Sequence, residues 1–414
     1  MSLDTDRSRS SGQWARLIAA IYGPTLLASI GFGAIIPLIA LQATALGASV
    51  GLAAFITSLT GIAMLLFDLP AGTVASRLGE RNSIVIACLV DAAVLVAVYL
   101  ANSLPVLAAA VFVHGMTGSI FALARQTYLA EAIPMRYRAR AMSSLGGVFR
   151  IGYFVGPLVG AAILARSEIR DAFIFAAGTS LFAAAVTMVL PALPTDRRLL
   201  LDDRGQRPRT WAVLRNHRRS LLTIGVGCLA LMMARSSRQT IIPLWADANG
   251  MSPAQISLLF ALSMGFDVLL FFPGGAIMDR FGRWWVCVPT MFVISIGIGV
   301  LPLATTPVAI AVVASLLGIG NGVSSGIVLT LGADASPQFG RAQFLAGWRL
   351  LSDAGQSLGP VIIAAVTALS SLGVAAVVIG LLGCVGGGWL ARWVPRTTQQ
   401  LLDLIPSEPD SLEG

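Results

Sequence analysis

Lysine is absent from this chain, and charge of any kind is scarce. Of 414 residues only 12% are charged, all 28 basic ones are Arg, and 56% are hydrophobic, with a mean hydropathy of +0.82. A soluble domain carries about 25% charged residues, so this composition excludes one and reads as a membrane protein. Cysteine is sparse too: Cys88, Cys228, Cys287 and Cys384 stand singly in apolar runs. That spacing supports neither a disulfide framework nor a metal site and leaves them as small buried hydrophobes. No nucleophile elbow, metal-ligand cluster or phosphate loop occurs, which argues against an enzyme and implies no metal or organic cofactor. Nor does any segment have the make-up of a soluble signalling or nucleic-acid-binding domain.

What is present is apolar and repeated. Runs of about 20 apolar residues cross a bilayer core, and twelve occur, at residues 17–42, 50–75, 83–101, 104–126, 141–165, 172–193, 220–246, 253–278, 284–302, 307–332, 342–368 and 373–394. The stretch from Pro70 to Arg81 returns 203 residues on, from Pro273 to Trp284, so that Gly72, Arg77 and Gly79 recur as Gly275, Arg280 and Gly282. The same offset carries Glu131 to Asp334, Arg138 to Arg341, Gly152 to Gly355, Gly156 to Gly359 and Pro157 to Pro360. Such self-similarity marks a duplicated unit: two six-span halves, residues 17–193 and 220–394, share one plan.

The arginines orient that plan. Arg7, Arg9 and Arg16 precede the first span, Arg77 and Arg81 follow the second, and Arg136, Arg138 and Arg140 follow the fourth; Arg280, Arg283 and Arg341 repeat the arrangement. Positive charge at span ends marks cytoplasmic loops, so both termini are predicted to be cytoplasmic, in a multi-pass protein of the cell inner (plasma) membrane. Residues 1–16 are polar and are expected to stay attached, because the apolar run behind them is too long for a signal-peptide core. Residues 194–219 hold eight Arg among three acids and read as a cytoplasmic linker on the anionic leaflet. Residues 395–414 read as a cytoplasmic tail. The net charge of +8 then reflects topology and lipid contact, with no nucleic-acid partner implied.

Span one is rich in helix breakers, with Gly23, Pro24, Gly31, Gly33 and Pro37, and span seven echoes it, Ile241-Ile242-Pro243-Leu244 matching Ile35-Ile36-Pro37-Leu38. Broken helices in matching places of two halves point to a substrate path; packing kinks are the alternative for any single proline.

The repeated loop resembles the signature of the major facilitator superfamily, Gly-x-x-x-Asp-Arg-x-Gly-Arg-Arg between spans two and three. Gly275, Asp279, Arg280, Gly282 and Arg283 match it and Trp284 departs at its last position; in the first copy Gly72, Arg77 and Gly79 match while Ser76 stands where the first Asp belongs. The resemblance implies a latch on the cytoplasmic side, weakened at Ser76 and carried more by Asp279, with Glu131, Arg138, Asp334 and Arg341 as its partners. In span five, Gly152, Gly156, Pro157 and Gly160 resemble the Gly-Pro pattern of antiporters in that superfamily, and Gly355, Gly359 and Pro360 repeat it in span eleven. Small residues four apart let helices approach, and the resemblance favours export. Span four lacks the Arg that the drug-exporting branch usually carries and has His114 there, either a proton-coupling group or a packing histidine.

Ionisable groups inside spans are functional hypotheses by default. They are Asp68, Asp91, His114, Arg125, Arg150, Arg235, Arg238, Asp267, Arg349 and Asp353. Arg150 and Asp267 stand at similar depths, roughly 14 and 16 Å from the inner ends of their spans at about 1.5 Å per residue, and Asp68 and Arg349 are matched likewise. Two salt bridges between the halves are therefore expected, Arg150 with Asp267 and Asp68 with Arg349, each either a gate released by protonation or a permanent structural pair. Arg235, Arg238, Asn321 and His114 come from spans that line the cavity in the resembled fold and are candidates for contacting substrate; for Arg238 the alternative reading is a side chain that reaches the outer surface.

The expectation is an all-α membrane protein of twelve transmembrane helices in two pseudo-symmetric six-helix bundles, the major facilitator fold, acting as a monomer in the lipid bilayer. Its leading function is proton-coupled export of drugs or amphiphilic small molecules by alternating access, driven by the proton gradient. A facilitator or importer of a metabolite or organic anion is the alternative reading, and a non-transporting sensor the third.

Overall fold

The computed structural model describes residues 11–132, 135–189, 210–337 and 341–394. The polar segments at residues 1–10, 194–209 and 395–414 lie outside the described residues, as do the side chains of Ser76, Glu131 and Arg138. Among the described residues there is no strand. Twelve long helices follow one another: α1 Ser11–Ala45, α2 Val50–Leu78, α3 Glu80–Leu100, α4 Leu104–Ala132, α5 Met135–Leu164 and α6 Ile169–Met188. After a short helix, Thr210–Asn216, and a π-helical turn, Leu221–Gly225, come α7 Val226–Ala248, α8 Pro253–Phe281, α9 Trp284–Val300, α10 Pro307–Val323, α11 Arg341–Leu369 and α12 Leu372–Trp393. These elements supply twelve spans long and apolar enough to cross a membrane, as the hydropathy requires.

Local chemistry sets the ends. Ser49, Thr306 and Ser371 cap α2, α10 and α12, their hydroxyls accepting from the backbone N–H three residues on; this satisfies a donor that the helix itself leaves unpaired. The turns into α3 and α9 pass through Gly79 and Gly282, at φ 79° and 93°, a region that glycine enters without steric cost. These two glycines are 203 residues apart, so the duplication extends to backbone conformation.

The expected breaks in spans one and seven are not where the helices break. Pro24 and Pro37 lie inside a continuous α1, and Pro243 inside α7. Neighbouring helices, hydroxyls and small local adjustments re-satisfy the groups a membrane proline frees. The interruption falls in span ten, where α10 ends at Val323, Gly326 takes φ 88°, and the chain resumes as Ile327–Asp334.

The chain forms two compact units, residues 1–196 with 242–268, and 197–241 with 269–414. In the first, α1 packs on α5 and α6, α2 on α4, and α3 on α4 and α6. In the second, α9 packs on α10 and α12, repeating the α3 pairings. Small residues permit the closest approaches. A Cβ on Gly156 would run into the Ile30 carbonyl and come within 2.6 Å of Ala34 N; one on Gly359 would lie 2.5 Å from Met233 O. Thus α5 lies against α1 and α11 against α7 through the same two motif glycines.

Candidate functional site

Charged side chains within the spans define the site, because hydrocarbon gives them no solvation and each must find a partner. Arg150 on α5 and Asp267 on α8 come together, Nε to Oδ1 at 3.8 Å, with the side chains 26% and 10% exposed. Arg150 Nη1 also donates to the Gly146 carbonyl one turn back, at 3.1 Å, which holds the guanidinium along its own helix. Both residues belong to the first unit. Beside them, Arg125 of α4 lies over the Phe121 and Phe149 rings, at 5.4 and 5.3 Å, a cation–π arrangement.

A second cluster joins three helices of the same unit. His114 Nδ1 of α4 is 2.7 Å from Asp91 Oδ1 of α3; Thr117 Oγ1 of α4 donates to the same oxygen at 3.0 Å, and Ser180 Oγ of α6 donates to Oδ2 at 2.8 Å. Asp91 and His114 are only 5% and 4% exposed. The His114 ring packs on Phe32 of α1, centroids 4.7 Å apart. A small cavity, about the 10 Å³ that one water needs, adjoins the cluster and is lined by Phe32, Cys88, Asp91, Thr117, Phe121 and Ser180.

The remaining candidates have local partners. Asp68 Oδ1 accepts from Ser119 Oγ of α4 at 2.5 Å, and Arg349 Nε is 3.4 Å from Asp353 Oδ2, one turn along α11. Arg235 of α7 donates through Nη2 to the carbonyl and hydroxyl of Ser324, at 2.7 and 2.6 Å. It therefore caps the interruption of span ten, where Ser325 Oγ also donates to the Asn321 carbonyl at 3.1 Å. Arg238 is 2% exposed, among the largest fully buried side chains, so the reading that it reaches the outer surface does not hold. It lies three residues from Arg235 and stays inside the packing.

At the repeated loop, Arg283 Nε meets Asp334 Oδ2 at 2.8 Å, while Asp279, Arg280 and Arg77 are exposed. Arg81 donates to the Met188 carbonyl and Trp284 Nε1 to the Ala391 carbonyl at 3.2 Å. Donors and acceptors alike are 203 residues apart, so the contact repeats although its donor changed from Arg to Trp.

Reading the sequence by depth brought Arg150 to Asp267 but left Asp91 and His114 unjoined. Their signal was present: the two stand almost equally far on either side of the turn at residues 101–103, which sets them level on adjacent antiparallel helices.

Known proteins share this pattern. The Major Facilitator Superfamily pattern matches residues 24–360 and 224–409. Multidrug resistance protein MdtG of Salmonella heidelberg (strain SL476) is 29% identical over 173 residues, which are 41% of this chain and 43% of that protein; the match thus spans less than half of its length. Among solved structures, the inward open xylose transporter XylE from E. coli superposes with a TM-score of 0.69 at 16% identity, covering 95% of this chain and 99% of that one. The nucleoside transporter NupG gives 0.72 at 14% identity, covering 92% and 99%. At such identities the likeness carries the fold. With the family pattern spanning most of its length and twelve spans to match, the chain belongs to the Major Facilitator Superfamily and is an integral membrane transporter of that type.

Proposed function

We propose that this transporter is a proton-coupled exporter of drugs or other amphiphilic small molecules. It works by alternating access, as a monomer in a cell inner (plasma) membrane, with both termini in the cytoplasm. The proton gradient supplies the energy, and no bound cofactor takes part.

The observation that carries this reading is the Arg150–Asp267 pair, 3.8 Å apart within the spans. In such poorly polarisable surroundings opposite charges attract strongly. A proton on Asp267 cancels the attraction and leaves the half-buried Arg150 charge without that counter-ion inside the span, which is unfavourable. Protonation therefore biases α5 and α8 toward another arrangement, and deprotonation restores the first. Coupling requires this of an acid: its charge state must favour one conformation over another. The Gly152 to Gly160 pattern on α5 and the multidrug resistance naming of the partial relatives support the export direction and the substrate class.

The test uses everted membrane vesicles carrying the protein, an imposed proton gradient and a ΔpH-sensitive dye. They are challenged in turn with ethidium, tetraphenylphosphonium, a neutral amphiphile and taurocholate. One of these is expected to collapse the gradient in wild-type vesicles and to fail with Asp267→Asn. A wild type that moves labelled taurocholate down its own gradient, with no proton movement for any probe, would instead identify a facilitator of organic anions.

A further inference from the structure

We propose that Asp91 and His114 together form a proton-binding site of the transport cycle, separate from the Arg150–Asp267 pair; the role in the cycle rests on the proton-coupled reading above. The site lies deep in the spans. Asp91 is near the middle of α3, roughly 14 to 16 Å from either end at about 1.5 Å per residue; on the same scale His114 is about 15 Å from the start of α4 and about 27 Å from its end, and Ser180 about 12 to 16 Å from the ends of α6.

The geometry suits both protonation states. With Asp91 ionised, the imidazole Nδ1–H and the hydroxyls of Thr117 and Ser180 all donate to its oxygens, at 2.7, 3.0 and 2.8 Å. With one proton more, carried on the carboxyl, the Asp91 O–H donates to a hydroxyl oxygen. Thr117 can accept it because its own hydrogen has a second acceptor, the His114 carbonyl at 2.8 Å. Carried instead on the imidazole, the same proton leaves an imidazolium against a carboxylate. Hydroxyls donate or accept as required, whereas a guanidinium only donates. A carboxylate held by two hydroxyls and an imidazole is therefore built to change charge, and the adjoining cavity gives a water a place from which to bring the proton.

The groups facing the pair are few. On α3 the cavity is lined by Asp91, Cys88 and Ala87, on α1 by Ala28 and Phe32, on α4 by Thr117 and Phe121, and on α6 by Ser180. Cys88 is the only titratable group in that lining besides Asp91 itself. Arg125 belongs to the next cavity, which shares Phe121.

The second half provides an internal control. At the 203-residue offset, Asp91, His114, Thr117 and Ser180 become Ile294, Leu317, Gly320 and Gly383. Ile294 and Leu317 are fully buried. A Cβ on Gly320 would lie 3.1 Å from Ile294 Cγ1, so these positions face each other as Thr117 and Asp91 do. The architecture thus fills the same place without any ionisable group, Ile294 and Leu317 standing for Asp91 and His114 and the Ser295 hydroxyl lying against Gly383, and nothing in the helix packing demands a carboxylate and an imidazole there.

The experiment compares purified wild type, Asp91→Asn and His114→Gln in sealed vesicles, with whichever probe of the panel collapses the gradient in wild type. Two quantities are read: proton movement, from a trapped pH dye, and exchange of labelled for unlabelled probe at equal pH, which needs no net proton transfer. Asp91→Asn is expected to keep exchange, and both variants are expected to lose probe-driven proton movement. Coupling at the wild-type rate in both variants would overturn the inference and leave the exporter reading intact. Loss of exchange in Asp91→Asn as well would mark a structural cluster and also overturn it. A wild type that moves no protons with any probe removes the exporter reading and this role with it.

Discussion

The loop after α2 presents Glu80 and Arg81, and its counterpart after α8 presents Arg283 and Trp284. Arg81 and Trp284 do the same thing, each donating to a backbone carbonyl at an equivalent point. Glu80 and Arg283 do not. Arg283 pairs with Asp334, whereas the first half has Glu80 and Glu131 in those two positions, and two carboxylates form no such pair. A contact to a carbonyl survives any change that keeps a donor. A pair of side chains survives only if both change together. The duplicated halves have therefore kept their backbone contacts and diverged in their charge pairs, most sharply where Ile294 and Leu317 stand in the second half at the positions of Asp91 and His114.

Substitutions at shared and unshared positions test this divergence between the halves. The largest effect is expected at the unduplicated pair. Asp267→Asn should abolish uphill transport in vesicles, and exchanging the charges in the double variant Arg150→Asp with Asp267→Arg should restore part of it; no restoration would leave Asp267 with a role independent of its partner. Next come the glycines that both halves share. Gly156→Leu and Gly359→Leu each drive a side chain into the backbone of a neighbouring helix and should destabilise by about 3 kcal/mol, seen as comparable drops in Tm in detergent. Unequal drops would mean that the two motif copies are not packed alike.

Smaller effects follow from features found on one side only. Arg235→Ala removes the charged donor from Ser324 at the span-ten interruption. It should cost about 1.5 kcal/mol and speed hydrogen exchange in residues 320–330, with no counterpart in span four. Asp334→Asn breaks a part-exposed pair and should cost about 0.5–1 kcal/mol in a thermal melt. Gly275→Ala meets nothing within 4 Å, so a stability change beyond about 1 kcal/mol would show that this glycine is closely packed after all.

Much of this architecture was legible in the residues. Spans are fixed by length and hydropathy, which a bilayer enforces, and the repeat showed because turn glycines such as Gly79 and Gly282 hold conformations that few other residues adopt. The Arg150–Asp267 encounter was legible too, since two opposite charges at one depth in hydrocarbon seek each other. The prolines misled, because Pro24, Pro37 and Pro243 mark a helix end in water but not among packed membrane helices. The true interruption, at Ser324 to Gly326, has no proline, and its cap comes from a different helix, a tertiary fact that no local pattern encodes. The Asp91–His114 contact was missed because depth was compared between halves rather than across a single helical hairpin.

The most direct test of the central claim is accumulation. Purified protein in sealed vesicles would be given a pH gradient, and the uptake of the active probe followed against its own concentration gradient. Proton-coupled transport predicts uphill accumulation that a protonophore abolishes and Asp267→Asn never shows. Equilibration that stops at equal concentrations, whatever the pH gradient, would contradict it.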